Sequence, residues 1–245
     1  MRSRAATRVS SSRRSSASSE GRLGLGSRNA HGTGVHLNSL LLFRRFVAPR
    51  ISPGARVLEL GADGDPSIFC REMPDRVWDT ADLVDEAGEW SGDGSRARIL
   101  MPSPYEIPVP DGTYDVVFSA QVAEHVREIW TWMDELARVT RPGGKVITIS
   151  PVSWEYHEAP VDCWRMYPEA MRALSERAGL EVELSWCGSL EPPRTRRPFP
   201  GNGAPAGARS PGGLRLAVMR LIGWPLPVAH DLVTVAVKPV APRPA

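Results

Sequence analysis

The segment Ala55-Arg-Val-Leu-Glu-Leu-Gly-Ala-Asp-Gly-Asp-Pro66 decides the fold, because it predicts a buried strand that runs into a turn and then a helix. Its nearly continuous apolar residues are typical of a strand that is covered on both faces. Gly61 and Gly64 supply backbone that can turn tightly and approach a ligand closely. Asp65 suits an N-cap and Pro66 the first helical position. A nucleotide pocket commonly begins in this way.

Two acidic residues near this turn are candidate ligand groups. A charged side chain such as that of Glu59 is costly inside a central strand unless it is paired, and at the C-terminal end of a strand the usual partner is a ligand. Asp82 follows the glycine turn by about twenty residues, the spacing at which doubly wound folds place a carboxylate on ribose hydroxyls. Asp79 and Asp85 are alternatives, because a shifted strand boundary changes which acid ends the strand.

Two later segments predict a strand, a helix and a further strand. Asp111-Gly-Thr-Tyr-Asp-Val-Val-Phe-Ser-Ala-Gln-Val-Ala-Glu-His125 contains the fourth strand, and Glu135-Leu-Ala-Arg-Val-Thr-Arg-Pro-Gly-Gly-Lys-Val-Ile-Thr-Ile149 leads into the fifth, predicted from Lys145 to Ser150. The apolar spacing between them predicts one helical stripe. The stripe is formed by Val122, Val126, Ile129, Met133, Leu136 and Thr140.

Together these segments resemble the class I S-adenosylmethionine-dependent methyltransferases, over roughly half of the chain, from Val57 to Glu183. The first motif of that family is an acid, any residue and then three glycines at alternate positions. Gly61 matches the first glycine, whereas Asp63 and Asp65 stand at the next two. NAD-binding folds share such a glycine turn, so the motif by itself leaves both cofactors open.

The resemblance implies an α/β fold: a doubly wound, Rossmann-like sheet of seven mostly parallel strands with helices on both faces and an antiparallel last strand. It also implies S-adenosylmethionine as the cofactor. Gly61, Ala62 and Gly64 would border its methionine moiety and sugar, Glu59 would order the turn and the amino group, and Asp82 would bind the ribose. The lesser candidates around adenine and the sulfonium are Ser103, Ser119 and Gln121. Ser103 stands where family members usually carry an acid.

The acceptor side is predicted at the loop from 151 to 167, which is dense in aromatic and charged residues. The part from His157 to Pro168 resembles a loop of family members found with sugar and polysaccharide pathways; an aromatic loop that only covers the sheet is the alternative. If a base is needed, His125 is the first candidate and His157 the second, with Asp162 as its partner. The expected acceptor is a hydroxyl on a small molecule or saccharide.

Charge and cysteine usage limit the classes of function. Seven arginines and one glutamate give residues 1–30 a charge of +6, which leaves −4 on the rest of a chain that carries +2 overall. A mildly acidic body is not typical of a nucleic-acid binder. The three widely spaced cysteines indicate neither a zinc site nor a disulfide framework, so no metal is predicted and a reducing, cytoplasmic compartment is expected. The Ser/Arg-rich N-terminus leaves an organelle transit peptide as an alternative.

The predicted organisation is one domain with two terminal tails and one insertion. Residues 1–30 form a disordered tail, 31–240 the domain, 188–213 a Pro/Gly/Arg-rich insertion or lid, and 241–245 a second tail. Helices are expected at 36–47 and 214–222. Three rival functions stay open at this level: an NAD-dependent enzyme, a non-catalytic cofactor-binding protein and an RNA methyltransferase that uses the basic tail.

Overall fold

The computed structural model describes residues 37–62, 64, 66–83, 99–154, 156–157, 161–191, 218, 221 and 230–240. In these residues the structure bounds four α-helices and seven strands; residues 218 and 221 are also helical. The helices are α1 (Leu37–Leu42), α2 (Ile68–Glu72), α3 (Ile129–Val139) and α4 (Pro168–Arg177). The strands are β1 (Arg56–Leu60), β2 (Val77–Leu83), β3 (Ile99–Met101), β4 (Tyr114–Ala120), β5 (Thr140–Ser153), β6 (Glu181–Gly188) and β7 (His230–Val237).

All seven strands form one sheet in the order β3-β2-β1-β4-β5-β7-β6. The first five pair in parallel, and β7 is antiparallel to both β5 and β6. Strand order reverses between β1 and β4, and this switch point is where open α/β sheets bind ligands. The predicted fold class is therefore confirmed.

Apolar side chains cover both faces of the sheet, as the continuous strand patterns predict. On one face Leu58 and Val117 belong to a core with Trp132 and Leu136 of α3. On the other face Phe118 packs against Phe43 and Phe69, with ring centroids 5.4 and 4.9 Å away. Because β1 is sandwiched between these cores, the turn that follows it is held from both sides.

The N-terminal helix is less regular than its apolar spacing predicts. After Leu42 the chain continues as a π-helical turn (Phe43–Val47) and a 3₁₀ turn (Ala48–Arg50). Pro49 lies inside the last turn, where its fixed φ is tolerated, and the chain becomes extended at Ile51.

Two predicted boundaries around β4 and β5 are wrong. The stripe from Val122 to Thr140 is interrupted: Ala123–His125 forms a 3₁₀ turn, Val126 is extended, and α3 begins only at Ile129. Strand β5 reaches from Thr140 to Ser153, beyond both predicted ends, because a register shift between the Tyr114 and Val116 pairings absorbs its Pro-Gly-Gly segment.

Several predictions fall on residues outside the described part of the chain. They are the two tails, most of the 188–213 segment, the 214–222 helix apart from 218 and 221, and Asp85. Within the described residues, no helix is long and apolar enough to cross a membrane.

Candidate functional site

The sheet register brings the predicted cofactor residues to one edge. Leu60 pairs with Ala81 of β2 and with Ser119 of β4, so Gly61 and Asp82 stand level, one residue further toward the C-terminal edge. The Gly61 N–H donates to the Ala81 carbonyl at 3.0 Å and extends this pairing into the turn.

Gly61 has a backbone conformation that glycine favours. Its φ is +65°, and a Cβ added there would lie 2.5 Å from Cγ2 of Val122. Both the backbone angle and the close approach of the loop after β4 therefore require glycine. Ala62 and Gly64 follow in the same turn and are half-buried, whereas Asp63 and Asp65 are outside the described residues.

Glu59 has protein partners, contrary to the expectation that a ligand would be its main partner. It is buried, and its Oε2 accepts hydrogen bonds from Ser67 Oγ at 2.5 Å and from Trp78 Nε1 at 2.6 Å. Ser67 also caps α2 by accepting from the Cys70 N–H. The helix therefore begins at Ile68 with Ser67 as its N-cap, and the prediction of Asp65 and Pro66 for these positions is wrong.

The structure separates the candidate ribose acids. Asp79 is level with Leu58 within the sheet and is held by Arg56, 2.9 Å away, and by the Tyr114 hydroxyl. Asp82 is half-buried beside the glycine turn, and its Oδ1 accepts from the Leu83 N–H at 2.8 Å. Of these two, Asp82 has the position that suits a ribose.

The lesser cofactor candidates have different surroundings. Ser103 caps its own turn by accepting from the Tyr105 N–H at 3.1 Å. Ser119 is fully buried, and its Oγ has no hydrogen-bond partner among the described residues. Gln121 follows β4 with a φ of +59°, which is uncommon outside glycine.

The Gln121 side chain belongs to a polar cluster that sequence reasoning missed. Its Nε2 donates to Ser39 Oγ at 3.0 Å and to Asp231 Oδ1 at 3.2 Å, while Asn38 Nδ2 donates to Asp231 Oδ2 at 2.7 Å. Burial raises the pKa of Asp231 to about 6, and the three donors oppose this rise. The cluster ties α1 to the ends of β4 and β7. The signal for it was the pair Asn38-Ser39 in an otherwise apolar helix.

The predicted acceptor-side residues lie close together in the structure, although they are far apart in the sequence. The rings of His125 and His157 lie 5.0 Å apart at an interplanar angle of 86°. Nδ1 of His125 lies 2.5 Å from the Val161 carbonyl oxygen, and Nδ1 of His157 lies 3.5 Å from Asp162 Oδ2. Burial lowers the pKa of His125, which favours the neutral ring.

Glu124 completes this group and was not predicted. Its side chain is 1 % exposed, Oε1 lies 3.8 Å from His125 Nε2, and neither oxygen has a hydrogen-bond partner among the described residues. Burial raises its pKa to about 8, and the residue's own backbone N–H and the charge of Arg165 oppose the rise. The available signal was an acid inside the apolar sequence Val-Ala-Glu-His-Val. We call Glu124, His125 and His157 the acceptor triad.

Asp162 connects the triad to a neighbouring cavity. Burial by itself would raise its pKa, but hydrogen bonds from Arg165 and from the His157 N–H outweigh this effect and hold the pKa below its usual value. Its carboxylate therefore stays charged between these partners. A cavity of about 190 Å³ opens here. It is lined by Trp154, Tyr156, Asp162, Cys163, Trp164 and Arg165.

The glycine turn and the triad are adjacent. The Val122 side chain reaches the Gly61 backbone, and the 3₁₀ turn with Glu124 and His125 begins at the next residue, Ala123. The strand order, the switch point and this pair of neighbouring sites define a class I methyltransferase fold.

Comparisons with known proteins agree. Residues 79–148 match a family model described as a methyltransferase domain. An uncharacterized methyltransferase from Mycobacterium sp. (strain JLS) is 35% identical over 104 residues, which cover 41% of this chain and 40% of the relative. The 2-methyl-6-phytyl-1,4-hydroquinone methyltransferase of Synechocystis is 24% identical over 119 residues, or 46% of this chain and 37% of that protein. The chain thus spans about two fifths of the length of the curated relatives it matches.

Among solved structures, a SAM dependent methyltransferase from Archaeoglobus fulgidus has the same fold, with a TM-score of 0.50 at 16% identity over 81% of this chain and 92% of that one. Together with the family match over residues 79–148, this shared fold confirms the predicted resemblance to the class I S-adenosylmethionine-dependent methyltransferases.

The family implies S-adenosylmethionine as cofactor, and the described residues fit it. Gly61 gives bare backbone at the switch point, and Asp82 gives a carboxylate one strand away at the same level. A carboxylate there can accept both ribose hydroxyls.

Proposed function

We propose that this protein transfers a methyl group from S-adenosylmethionine to a hydroxyl of a small molecule or saccharide. The observation that carries this proposal is the acceptor triad, which groups one buried carboxyl with two partly exposed imidazoles. It begins at Glu124, two residues after Val122, whose side chain lies against the glycine turn. A hydroxyl loses its proton on methylation, and these side chains can assist that loss.

We propose for the cofactor-binding residues most of the roles that the sequence resemblance implies. Gly61, Ala62 and Gly64 border the methionine moiety and the sugar, and Asp82 accepts from the ribose hydroxyls. Glu59 acts on the turn through Ser67 rather than as the principal ligand of the amino group. Ser103 and Gln121 line the adenine and sulfonium side, whereas Ser119 is fully buried and is not proposed as a contact of the cofactor.

The cofactor supplies a methyl group on a positively charged sulfur. In the reaction the C–S bond breaks as the C–O bond forms, the hydroxyl proton is released, and the products are the methyl ether and S-adenosylhomocysteine. In-line approach makes positioning the main contribution of the protein. His125 can take the proton directly, and His157 with its partner Asp162 is the second candidate.

The cavity beside the triad favours a small-molecule or saccharide acceptor. Trp154, Tyr156 and Trp164 present aromatic surface, and the charged pair Asp162 and Arg165 offers both an acceptor and donors. Aromatic side chains combined with a few fixed polar groups are typical of small-molecule sites. The hydroquinone named for the Synechocystis relative is also a small molecule.

The test is a methyl-transfer screen with the purified full-length protein. S-adenosylmethionine and NAD are first compared by calorimetry, and binding of the former is expected. S-adenosylhomocysteine release is then followed with pools of phenols, sugars, nucleotide sugars and RNA, and mass spectrometry locates the methyl group on oxygen. Binding of NAD alone, transfer to RNA, or cofactor binding without any transfer would each contradict the proposal and support one of the rival functions.

A further inference from the structure

The acceptor triad has the composition and spacing of a metal site. One ligand atom from each of Glu124, His125 and His157 can be chosen so that the three lie within 4.8 Å of one another. Ligand atoms around a tetrahedral Zn²⁺ lie about 3.3 Å apart when the bonds are about 2.0–2.1 Å. Reaching this spacing requires the separations to shorten by up to about 1.5 Å. His157 lies in irregular structure between β5 and α4, where such a shift breaks no helix or strand pairing.

Glu124 supplies the strongest reason to expect a cation. A buried carboxylate is costly unless it is paired, hydrogen-bonded or coordinated to a metal. Its two oxygens are almost fully buried, and within the described part of the chain no other residue donates a hydrogen bond to them; only the Glu124 N–H lies close enough to act on the carboxyl. The positive charge of Arg165 relieves part of this cost, whereas the nearby negative charges of Asp231 and Asp162 add to it.

Both imidazoles are held in the way that metal ligands are held. Metal-binding histidines usually donate their second ring N–H to a carbonyl or carboxylate, which fixes the tautomer and the ring orientation. His125 has the Val161 carbonyl at Nδ1, and His157 has the Asp162 carboxylate at Nδ1. His125 then offers Nε2, the atom that faces Glu124.

We propose that Glu124, His125 and His157 bind one divalent first-row transition-metal ion, of which Zn²⁺ is the first choice. Two imidazoles and one carboxylate suit Zn²⁺ and its neighbours, whereas Mg²⁺ prefers oxygen ligands in an octahedral arrangement. Three protein ligands leave a coordination position open, as in catalytic metal sites. The binding site stands by itself; its role in holding the acceptor oxygen rests on the proposed function.

The first experiment measures binding without reference to catalysis. The full-length protein is stripped with a chelator, dialysed and titrated with Zn²⁺ by calorimetry, and Co²⁺ is added separately to record its d–d absorption. We expect one equivalent of each ion to bind, and a rise in the melting temperature with Zn²⁺ because the ion binds only the folded state. A folded protein that binds neither ion, or binds without a d–d band of low-symmetry nitrogen and oxygen coordination, overturns the proposal.

Matched variants locate the ion. Glu124→Gln and His157→Ala should each weaken Zn²⁺ binding at least roughly tenfold, because each removes a ligand. Glu128→Gln changes an exposed acid four residues away, and His230→Ala removes a described histidine outside the triad; both should bind as the wild type does. Circular dichroism confirms that each variant is folded. Equal affinity in Glu124→Gln and Glu128→Gln would overturn the assignment.

Activity assays separate this inference from the proposed function. If Zn²⁺ binds at the triad and no acceptor is methylated, the metal site stands and the proposed function fails. If methyl transfer proceeds at the same rate in stripped and Zn²⁺-loaded protein, the role of the ion in holding the acceptor oxygen is overturned while the methyltransferase function stands.

Discussion

Two buried carboxyl groups at the C-terminal edge of the sheet, one near β1 and one near β4, have different hydrogen-bond partners. At the β1 side, Glu59 is held by Ser67 and Trp78 and fixes the start of α2. At the β4 side, Glu124 is equally buried, but no other described residue donates a hydrogen bond to its carboxyl. The first carboxylate is part of a scaffold that is complete before any ligand binds, whereas the second is arranged for something that arrives later.

The largest effect is expected from a substitution in the glycine turn that follows β1. Gly61→Val should lower S-adenosylmethionine affinity by about a thousandfold or more, because a β-branched residue disfavours positive φ and its Cβ would meet Val122. Calorimetric affinity and thermal unfolding are measured together. The double variant Gly61→Ala/Val122→Ala removes the contact but keeps the unfavourable backbone angle. Its cofactor affinity should therefore lie between those of the wild type and Gly61→Val. Full affinity in a folded Gly61→Val protein would remove this turn from the pocket.

A pair of substitutions of equal size tests the contrast between the two carboxylates. Glu59→Ala should lower the free energy of unfolding by on the order of 3–5 kcal/mol, because it leaves Trp78 Nε1 and Ser67 Oγ without their acceptor. Glu124→Ala in metal-free protein should cost about 2 kcal/mol less, since it leaves no donor of another described residue without its acceptor. Urea unfolding of both variants in chelator gives the difference. Equal losses would show that the two sites are energetically alike.

The contrast also explains which parts could be predicted from the sequence. The spacing of apolar residues, the turn residues and the order of the motifs predict the sheet and the positions of Gly61 and Asp82. Both the sheet and these positions depend on local sequence pattern. The helix stripe from Val122 failed because extended backbone at Val126 separates the 3₁₀ turn from α3, which spacing cannot show. Glu124 and Asp231 were missed because their significance depends on burial and on neighbours about 30 and 190 residues away, such as His157 and Asn38.

The raised pKa of Asp231 predicts that the free energy of unfolding depends on pH. Its pKa is about 6 in the folded protein, above the usual 3.8, so between these values the folded state holds a proton that the unfolded state has lost. The free energy of unfolding should therefore fall, by up to about 3 kcal/mol, as pH rises from about 4 to 6. Other charged or titratable groups that act with it electrostatically are His230, Cys187 and Glu124.

Urea unfolding across this pH range is compared between the wild type and Asp231→Asn, whose side chain does not titrate. The difference between the two curves isolates Asp231 from acids with lowered pKa values, which act in the opposite direction. Asp75→Asn, at an exposed acid, serves as the control and should follow the wild type. Parallel curves for the wild type and Asp231→Asn would contradict the assigned pKa.

The smallest expected effect concerns the acid at the end of β2. Asp82→Ala should weaken S-adenosylmethionine binding by about 1.5–3 kcal/mol, because a carboxylate that accepts two ribose hydroxyls makes charge-assisted hydrogen bonds. Asp79→Ala is the matched comparison: it removes the partner of Arg56 and of the Tyr114 hydroxyl, so it should lower stability and leave cofactor affinity nearly unchanged. Calorimetry and unfolding on both variants separate the two outcomes. If Asp79→Ala loses affinity and Asp82→Ala does not, the ribose does not lie at the edge that the register of β1 and β2 indicates.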